Sequence, residues 1–368
     1  MHIYARSTCM YSRQRAKVCA DMAAFSVRLT QIELARQLGL SQATVSRALK
    51  GSLLLPKDTI RRVREAAEAS GYRPDPGLAS LVAYRKSRNP PGKGQCLAWL
   101  MSKYQADLPP HRTYPEHILD GARQRAHQLG YRLETFFTDA PDMTPQRLSR
   151  MLAYRRVEGI ILAPHVSPGT ELPLILDDFS TVAIGHTVHI QRIDRVAHNH
   201  FESMLIVCSK LRERGLRRIG LGLPPHSDMR SHGLWKAAFL LDQTTTPKGR
   251  HIPVLGTEET DAVSLRAWFT RWRPDALILH LANSGARLEQ LKALGVRWPE
   301  DVSVALLSLP DGYEHFSGIN ERTEELGAFS VEALVSRIQN NQRGVPELPR
   351  MHMIEGSWQE GTTCRKRK

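Results

Sequence analysis

The stretch LTQIELARQLGLSQATVSRAL, residues 29–49, holds two short amphipathic helical patterns joined at Gly39. Thr30 and Glu33 stand at the Thr-x-x-Glu spacing of a capping box, in which each side chain satisfies a backbone N–H at a helix start. Ile32, Leu34, Ala35 and Leu38 make the apolar stripe of the first helix, and Gly39 offers the left-handed residue that ends it. Ser41 is placed to cap a second helix whose inward positions are Val45, Ala48 and Leu49. Gln42, Ala43, Ser46 and Arg47 then face outward from its N-terminal half, the part that meets base edges when a helix lies in the major groove. The residue types suit that surface. Arg can donate two bonds to guanine, Gln can pair with adenine and Ala can touch a thymine methyl. Ser41, Thr44 and Ser46 are short hydroxyls suited to phosphate oxygens.

A third helix is expected over 56–70, PKDTIRRVREAAEAS, opened by Pro56 at the first helical position and closed by Gly71. Its apolar positions are Ile60, Val63, Ala66 and Ala67, enough for three helices to share a small core. Pro74 and Pro76 break the chain, a short Leu-Ala-Ser-Leu helix can follow, and Pro90, Pro91, Gly92 and Gly94 read as a linker.

VSRAL at 45–49, the helix ending SGYRP at 70–74 and GLASLVA at 77–83 resemble the N-terminal headpiece of the lactose repressor/galactose repressor (LacI/GalR) family of bacterial transcription regulators. The resemblance implies that Ser41–Leu49 is the recognition helix, with Gln42, Ala43 and Arg47 reading bases and Ser41, Thr44 and Ser46 near phosphates. It also implies that Tyr72 packs the headpiece and approaches the DNA backbone, and that Leu81 is the minor-groove wedge of a hinge helix. Two residues depart from the pattern. Gly77 weakens the hinge helix by about 1 kcal/mol relative to Ala, and Asp75 brings a negative charge where the family often has Asn.

Charge is distributed in the same sense. Of the formal net charge of +14, residues 28–88 hold 12 Lys/Arg against 5 Asp/Glu, residues 1–27 hold 4 against 1, and the last four residues are all basic. Residues 89–364 are therefore neutral overall. A basic reader on a balanced body suits a phosphate-binding module attached to a sensor of small molecules. With 368 residues and 41% apolar content the chain can build two or three domains with a large core. It carries no apolar run of membrane-helix length and no signal-peptide core, so a cytoplasmic protein is expected. The five cysteines lack a Cys-x-x-Cys pair and suggest neither a disulfide framework nor zinc. Residues 1–27, which contain Met10 and Met22, are expected to be a disordered basic arm or to precede a true start at Met22.

From Gln95 the pattern changes to short strands alternating with helices. Strands are expected at 96–102, 131–138, 157–164, 181–186, 217–223, 251–256, 275–281 and 302–309. Helices are expected at 115–129, 145–156, 200–214, near 231–241 and at 260–271. The alternation implies parallel, doubly wound sheets in two lobes, with ligands at the carboxyl ends of strands and hence in the interlobe cleft. This region resembles the family's periplasmic-binding-protein-like effector domain, ERGLRRIGL (213–221) matching the entry to the second lobe and 299–308 and 349–363 the late strands. The resemblance implies that Arg230, in the Arg-x-x-Gly spacing of DMRSHGLWKAA, contacts the effector, and that Asn199 replaces a common cleft Asp. Met204 stands where relatives carry Gly, and a second cleft Asp is replaced within His280, Leu281, Ala282 and Asn283. Fewer carboxylates point away from an ordinary sugar.

Other signals are weaker. Gly220-Leu-Gly222 lacks the third Gly of a dinucleotide fingerprint. His186, His189, His198 and His200 lack a helical His pair, so solvent-exposed or cleft-lining roles outweigh a metal site. No nucleophile elbow appears, which argues against an enzyme. The sequence thus predicts an all-α helix-turn-helix headpiece plus an α/β two-lobed domain. The boundaries are an extension at 1–27, a DNA-binding domain at 28–74, a hinge and linker at 75–94, an effector-binding and dimerisation domain at 95–364, and a basic tail at 365–368. The expected protein is a homodimeric regulator, in sense a repressor, of a near-palindromic DNA operator, with a small-molecule effector for which a carbohydrate is one candidate, no cofactor and no membrane partner. The alternative is a sugar- or nucleotide-binding protein or enzyme whose headpiece serves another partner.

Overall fold

Thr30 and Glu33 do form the reciprocal cap that opens the first helix: the Glu33 N–H donates to Thr30 Oγ1 at 3.3 Å and the Thr30 N–H donates to Glu33 Oε2 at 2.7 Å. The computed structural model describes residues 30–49, 55–70, 72, 95–102, 114–140, 143–164, 175–188, 192–258, 261–281 and 285–365. The chain divides into two units, 1–84 and 85–368. In the first, α1 (Gln31–Leu38) ends at Gly39, whose φ of 66° is the left-handed turn. It is followed by α2 (Gln42–Leu49) and α3 (Lys57–Ala69). Leu34, Ala35, Val45, Ala48, Val63 and Ala67 close a common core, with Leu38, Leu49, Ile60, Ala66 and Tyr72 packed around it. Ile32 departs from the expected stripe and is 51% exposed. It precedes the buried Leu34 by two residues, about 200° around a helix, and so points to the other side. Pro56 stands one position earlier than expected, as N-cap of α3, and α3 stops at the Ser70 cap. Gly71 lies outside the described residues. Thr30→Ala should destabilise α1 by about 1 kcal/mol, seen as faster amide exchange at Leu34 and Ala35.

The second unit holds two sheets. Strands β1 (Cys96–Met101), β2 (Arg132–Phe137), β3 (Val157–Leu162), β4 (Ser180–Ile184) and β5 (Asp194–His198) are joined by β10 (Met351–Ile354) in the order β10-β5-β4-β3-β1-β2. Every pairing in this sheet is parallel. The second sheet contains β6 (Ile219–Gly222), β7 (Ala276–Leu279), β8 (Ser303–Leu306), β9 (Ser317–Asn320) and β11 (Ser357–Gln359), in the order β11-β9-β8-β7-β6. Only β11 runs antiparallel within it. Strands such as β1 and β7 are buried along their whole length, which explains their unbroken apolar runs.

The chain crosses between the lobes three times: from β5 into α6 (His200–Glu213), from β9 into α11 (Thr323–Gln339), and from β10 to β11. The Asn199 N–H donates to Ile354 O at 2.9 Å, tying the first crossing to the third. Helix α6 belongs to the second-lobe core, where Met204, Val207, Cys208 and Leu211 pack on Trp235, Ile278 and Ile319. Helix α11 belongs to the first, packed on α4 (Tyr114–Gln128) with Leu326, Val331 and Leu334 against Ile118, Ala122 and Ile161.

Two expectations are corrected. The segment 251–256 is not a strand; only Leu255 bridges Gly222. Pro253 has no N–H for a ladder, and the carbonyls of Ile252 and Pro253 accept from Gln243 Nε2 and Trp268 Nε1 instead. The helix expected near 231–241 is α8 (Leu234–Thr244), starting three residues later, and a further short helix, α7 (Pro225–Arg230), precedes it. His232 and Gly233, at φ 56° and 72°, separate the two with consecutive left-handed residues. Helices α5 (Pro145–Tyr154) and α9 (Ala262–Trp272) occupy their expected regions, whereas α10 (Ala286–Ala293), α11 and β5 were not foreseen.

Candidate nucleic-acid interface and interlobe cleft

Helix α2 is held from one side. Val45 and Ala48 are fully buried, so Gln42, Ala43 and Arg47 stand exposed on its other face. Ser41 Oγ accepts the Thr44 N–H at 3.1 Å and lies 2.8 Å from Thr44 Oγ1, so both hydroxyls already fix the start of the helix. Ser46 is half-buried. Tyr72 packs on the headpiece core and its N–H donates to Ala67 O at 2.9 Å. Leu81 and the hinge lie outside the described residues.

In the second unit, chemistry gathers where strands end. His186 follows β4, His198 ends β5, His280 follows β7, and Ser308 and Glu321 follow β8 and β9. Carboxyl ends of parallel strands point their loops and side chains into one crevice, which here lies between the lobes. His200 starts α6, Arg230 ends α7, His232 stands between α7 and α8, and Trp235 lies in the first turn of α8. Trp235 sits between His200 and His280, with ring centroids 4.3 and 4.8 Å away. His198 and His186 lie 5.8 and 6.2 Å from His200, and His232 lies 5.6 Å from His186. Ser227 Oγ is 3.0 Å from His280 Nδ1.

Glu321 is the buried carboxyl of this cluster. Ser308 Oγ donates to its Oε2 at 2.6 Å, and its Oε1 lies 3.7 Å from His200 Nδ1. Burial raises its pKa to about 7 against the opposing pull of the Ser308 hydrogen bond and Arg230. The imidazoles move the other way. Burial lowers His186 to about 4, with His232 and Arg195 adding to the effect, and lowers His198 to about 3. His280 falls to about 3 through burial and then Arg230 and His226, and His200 falls well below its ordinary value. At neutral pH His186, His198, His200 and His280 are therefore uncharged. Arg230, half-exposed, acts electrostatically on His200, His280 and Glu321 together.

Of the residues singled out by sequence, Arg230, His186, His198 and His200 meet in this cleft. Asn199 caps α6, its Oδ1 accepting the Glu202 N–H at 3.2 Å. Met204 is fully buried in the second-lobe core. His189 and Asn283 lie outside the described residues. Glu321, Ser308, His232 and Trp235 were missed. The position just past a strand end marks Ser308 and Glu321 only once the strands are placed, and the sequence pattern ran β8 on past Ser308 and gave no strand before Glu321. Among the described residues no group of His, Cys, Asp and Glu is arranged to hold a metal ion. No helix among them is long and apolar enough to cross a membrane.

Residues 208–357 match the family described as periplasmic binding protein-like domain. The HTH-type transcriptional regulator PtxS of Pseudomonas aeruginosa is 26% identical over 351 residues, covering 90% of this chain and 96% of that protein. The HTH-type transcriptional regulator AscG of Escherichia coli is 48% identical over 46 residues, 12% of this chain and 14% of its own. Among solved structures, the lac repressor dimer bound to operator and the anti-inducer ONPF superposes with a TM-score of 0.52 at 17% identity, covering 91% of this chain and 98% of that one.

Proposed function

We propose that this chain is a member of the lactose repressor/galactose repressor family of transcription regulators and that it represses genes by binding a near-palindromic operator as a homodimer under control of a small molecule. The observation that carries the reading is the face of α2, where Gln42, Ala43 and Arg47 stand clear of a closed three-helix core. In this reading Gln42, Ala43 and Arg47 meet base edges. Ser41, Thr44 and Ser46 approach phosphates, Tyr72 supports the backbone contact, and Leu81 wedges the minor groove. Two identical headpieces require two half-sites, hence symmetry in the DNA. A reader of chromosomal DNA works where the chromosome is, in the cytoplasm, and no catalytic step is assigned to it.

Control comes from differential binding. A ligand in the cleft shifts operator affinity only as far as it prefers one lobe arrangement over another. Arg230 is the leading contact on this reading, and Asn199, at the first crossing, is the second. The test is selection of duplexes from a random pool by the full-length chain at several salt concentrations. A recovered palindrome supports the reading, and equal retention of all sequences overturns it in favour of a binding protein or enzyme with another partner. Arg47→Ala should then cost roughly 1–3 kcal/mol at one base pair of the site, a factor of about 5 to 150. A uniform loss on every sequence would make Arg47 a phosphate contact.

A further inference from the structure

A cavity of about 210 Å³ opens in the first lobe, where β5, β10 and the second half of α11 each supply a wall. Asp194 starts β5 and lines the cavity, whereas His198 ends the same strand in the cleft, so about 13 Å of strand separates the two places. The two carboxylates of the cavity are already engaged. Asp194 accepts from Arg337 Nη1 at 2.5 Å through Oδ2 and from the Arg350 N–H at 2.8 Å through Oδ1. Glu332 Oε1 lies 2.7 Å from Arg125 Nε. With Arg195 and Arg350 on the walls, four guanidinium groups surround two carboxylates. Two of the four hold donors in reserve. Arg337 is only 4% exposed, and its Nε is buried with no hydrogen-bond partner among the described residues. Arg350 is exposed, and its guanidinium makes no hydrogen bond or ion pair among those residues. Ser336 and Gln342 add neutral groups that can donate or accept, and His352, edge-on to Phe329 at 5.4 Å, adds an imidazole. The surplus is positive charge, which calls for acceptors from outside the chain.

We propose that this cavity is an anion site, separate from the cleft, that takes a phosphate group, free or carried by a small metabolite, with Arg350 and Arg337 as its principal donors. Phosphate brings about −1.5 to −2 charges at neutral pH and several strong acceptor oxygens. Those oxygens point in tetrahedral directions and so meet donors arriving from a helix and two strands, whereas a planar carboxylate is satisfied by one guanidinium in two parallel bonds. The position gives the ion leverage. β5, α11 and β10 are the first-lobe ends of the three crossings, and a bound phosphate ties them to one another.

Calorimetry on the full-length chain, without DNA and at constant ionic strength, can titrate inorganic phosphate, glycerol 3-phosphate, acetate and glycerol. Both phosphates should bind, acetate should bind at least about tenfold more weakly, and glycerol should not bind. Arg350→Gln should weaken the phosphates by at least about tenfold. Ser336→Asp, which sets a carboxylate on an exposed part of the wall, should abolish their binding. Either order of the two phosphates supports the site, tighter glycerol 3-phosphate marking an ester as its ligand and tighter inorganic phosphate marking the free ion. Binding of neither phosphate, acetate or glycerol binding as tightly as phosphate, or an unchanged phosphate Kd in Arg350→Gln or in Ser336→Asp would each overturn the proposal. So would loss of phosphate binding in Arg230→Gln, which would put the ion in the cleft. If Arg350→Gln fails to fold, Ser336→Asp still decides. Operator selection is a separate measurement, so failure there leaves this result standing, and failure here leaves the DNA reading standing.

Discussion

Gly327→Ala should lower the melting temperature of the second unit, residues 85–368, by about 10 °C, an effect of at least about 3 kcal/mol for a body of this size. A Cβ at Gly327 would lie 1.9 Å from the Ile118 carbonyl oxygen, and one at Gly121 would lie 2.0 Å from the Glu324 oxygen. Helices α4 and α11 therefore touch backbone to backbone, each presenting a glycine to the other. Intrinsic helix propensity favours the alanine by about 1 kcal/mol. Overpacking opposes it with about 1–3 kcal/mol when side chains can yield, and more when the obstacle is backbone. The steric cost wins. Gly249→Ala is the control, since a Cβ there meets nothing within 4 Å. A Gly327→Ala protein that melts within two degrees of wild type would mean that the two helices are farther apart than this.

Acid should destabilise the same unit well before its surface carboxylates are protonated. His186, His198, His200 and His280 bind protons less tightly when folded than in the unfolded chain. Their stabilising contributions are complete above about pH 6.5 and are lost as pH falls toward the folded values. Glu321 has the opposite sign. Its folded carboxyl holds the proton more tightly, so its contribution is complete below about pH 4.5 and is lost as pH rises through about 7. Each group can contribute up to about 1.4 kcal/mol per pH unit. Discounting the part-exposed His186 and His280, four imidazoles against one carboxyl leave a loss of at least about 3 kcal/mol between pH 6.5 and 4.5. Urea midpoints across that range would show it. A midpoint that stays level or rises toward pH 4.5 would mean that the imidazoles take up protons freely in the folded protein.

The headpiece was legible because its signals are local. Thr30, Glu33, Gly39 and Ser41 act on backbone atoms within four residues of themselves, so spacing alone places them. Buried strands announced themselves similarly, as CLAWLM and VEGIIL did, because both faces of a parallel sheet demand apolar residues. HIPVLG carries the same apolar density and is not a strand, since its fate depended on Gln243 and Trp268 taking its carbonyls.

Residue order alone determined a helix-turn-helix followed by parallel α/β lobes, since capping, turning and burial periodicity are short-range demands. Only the tertiary structure decided the character of the cleft. His186, His200, His280 and Glu321 come from four separate segments, and nothing in their spacing marks them as neighbours. Their protonation follows from joint burial and mutual fields, which exist only after three crossings have brought the two sheets together.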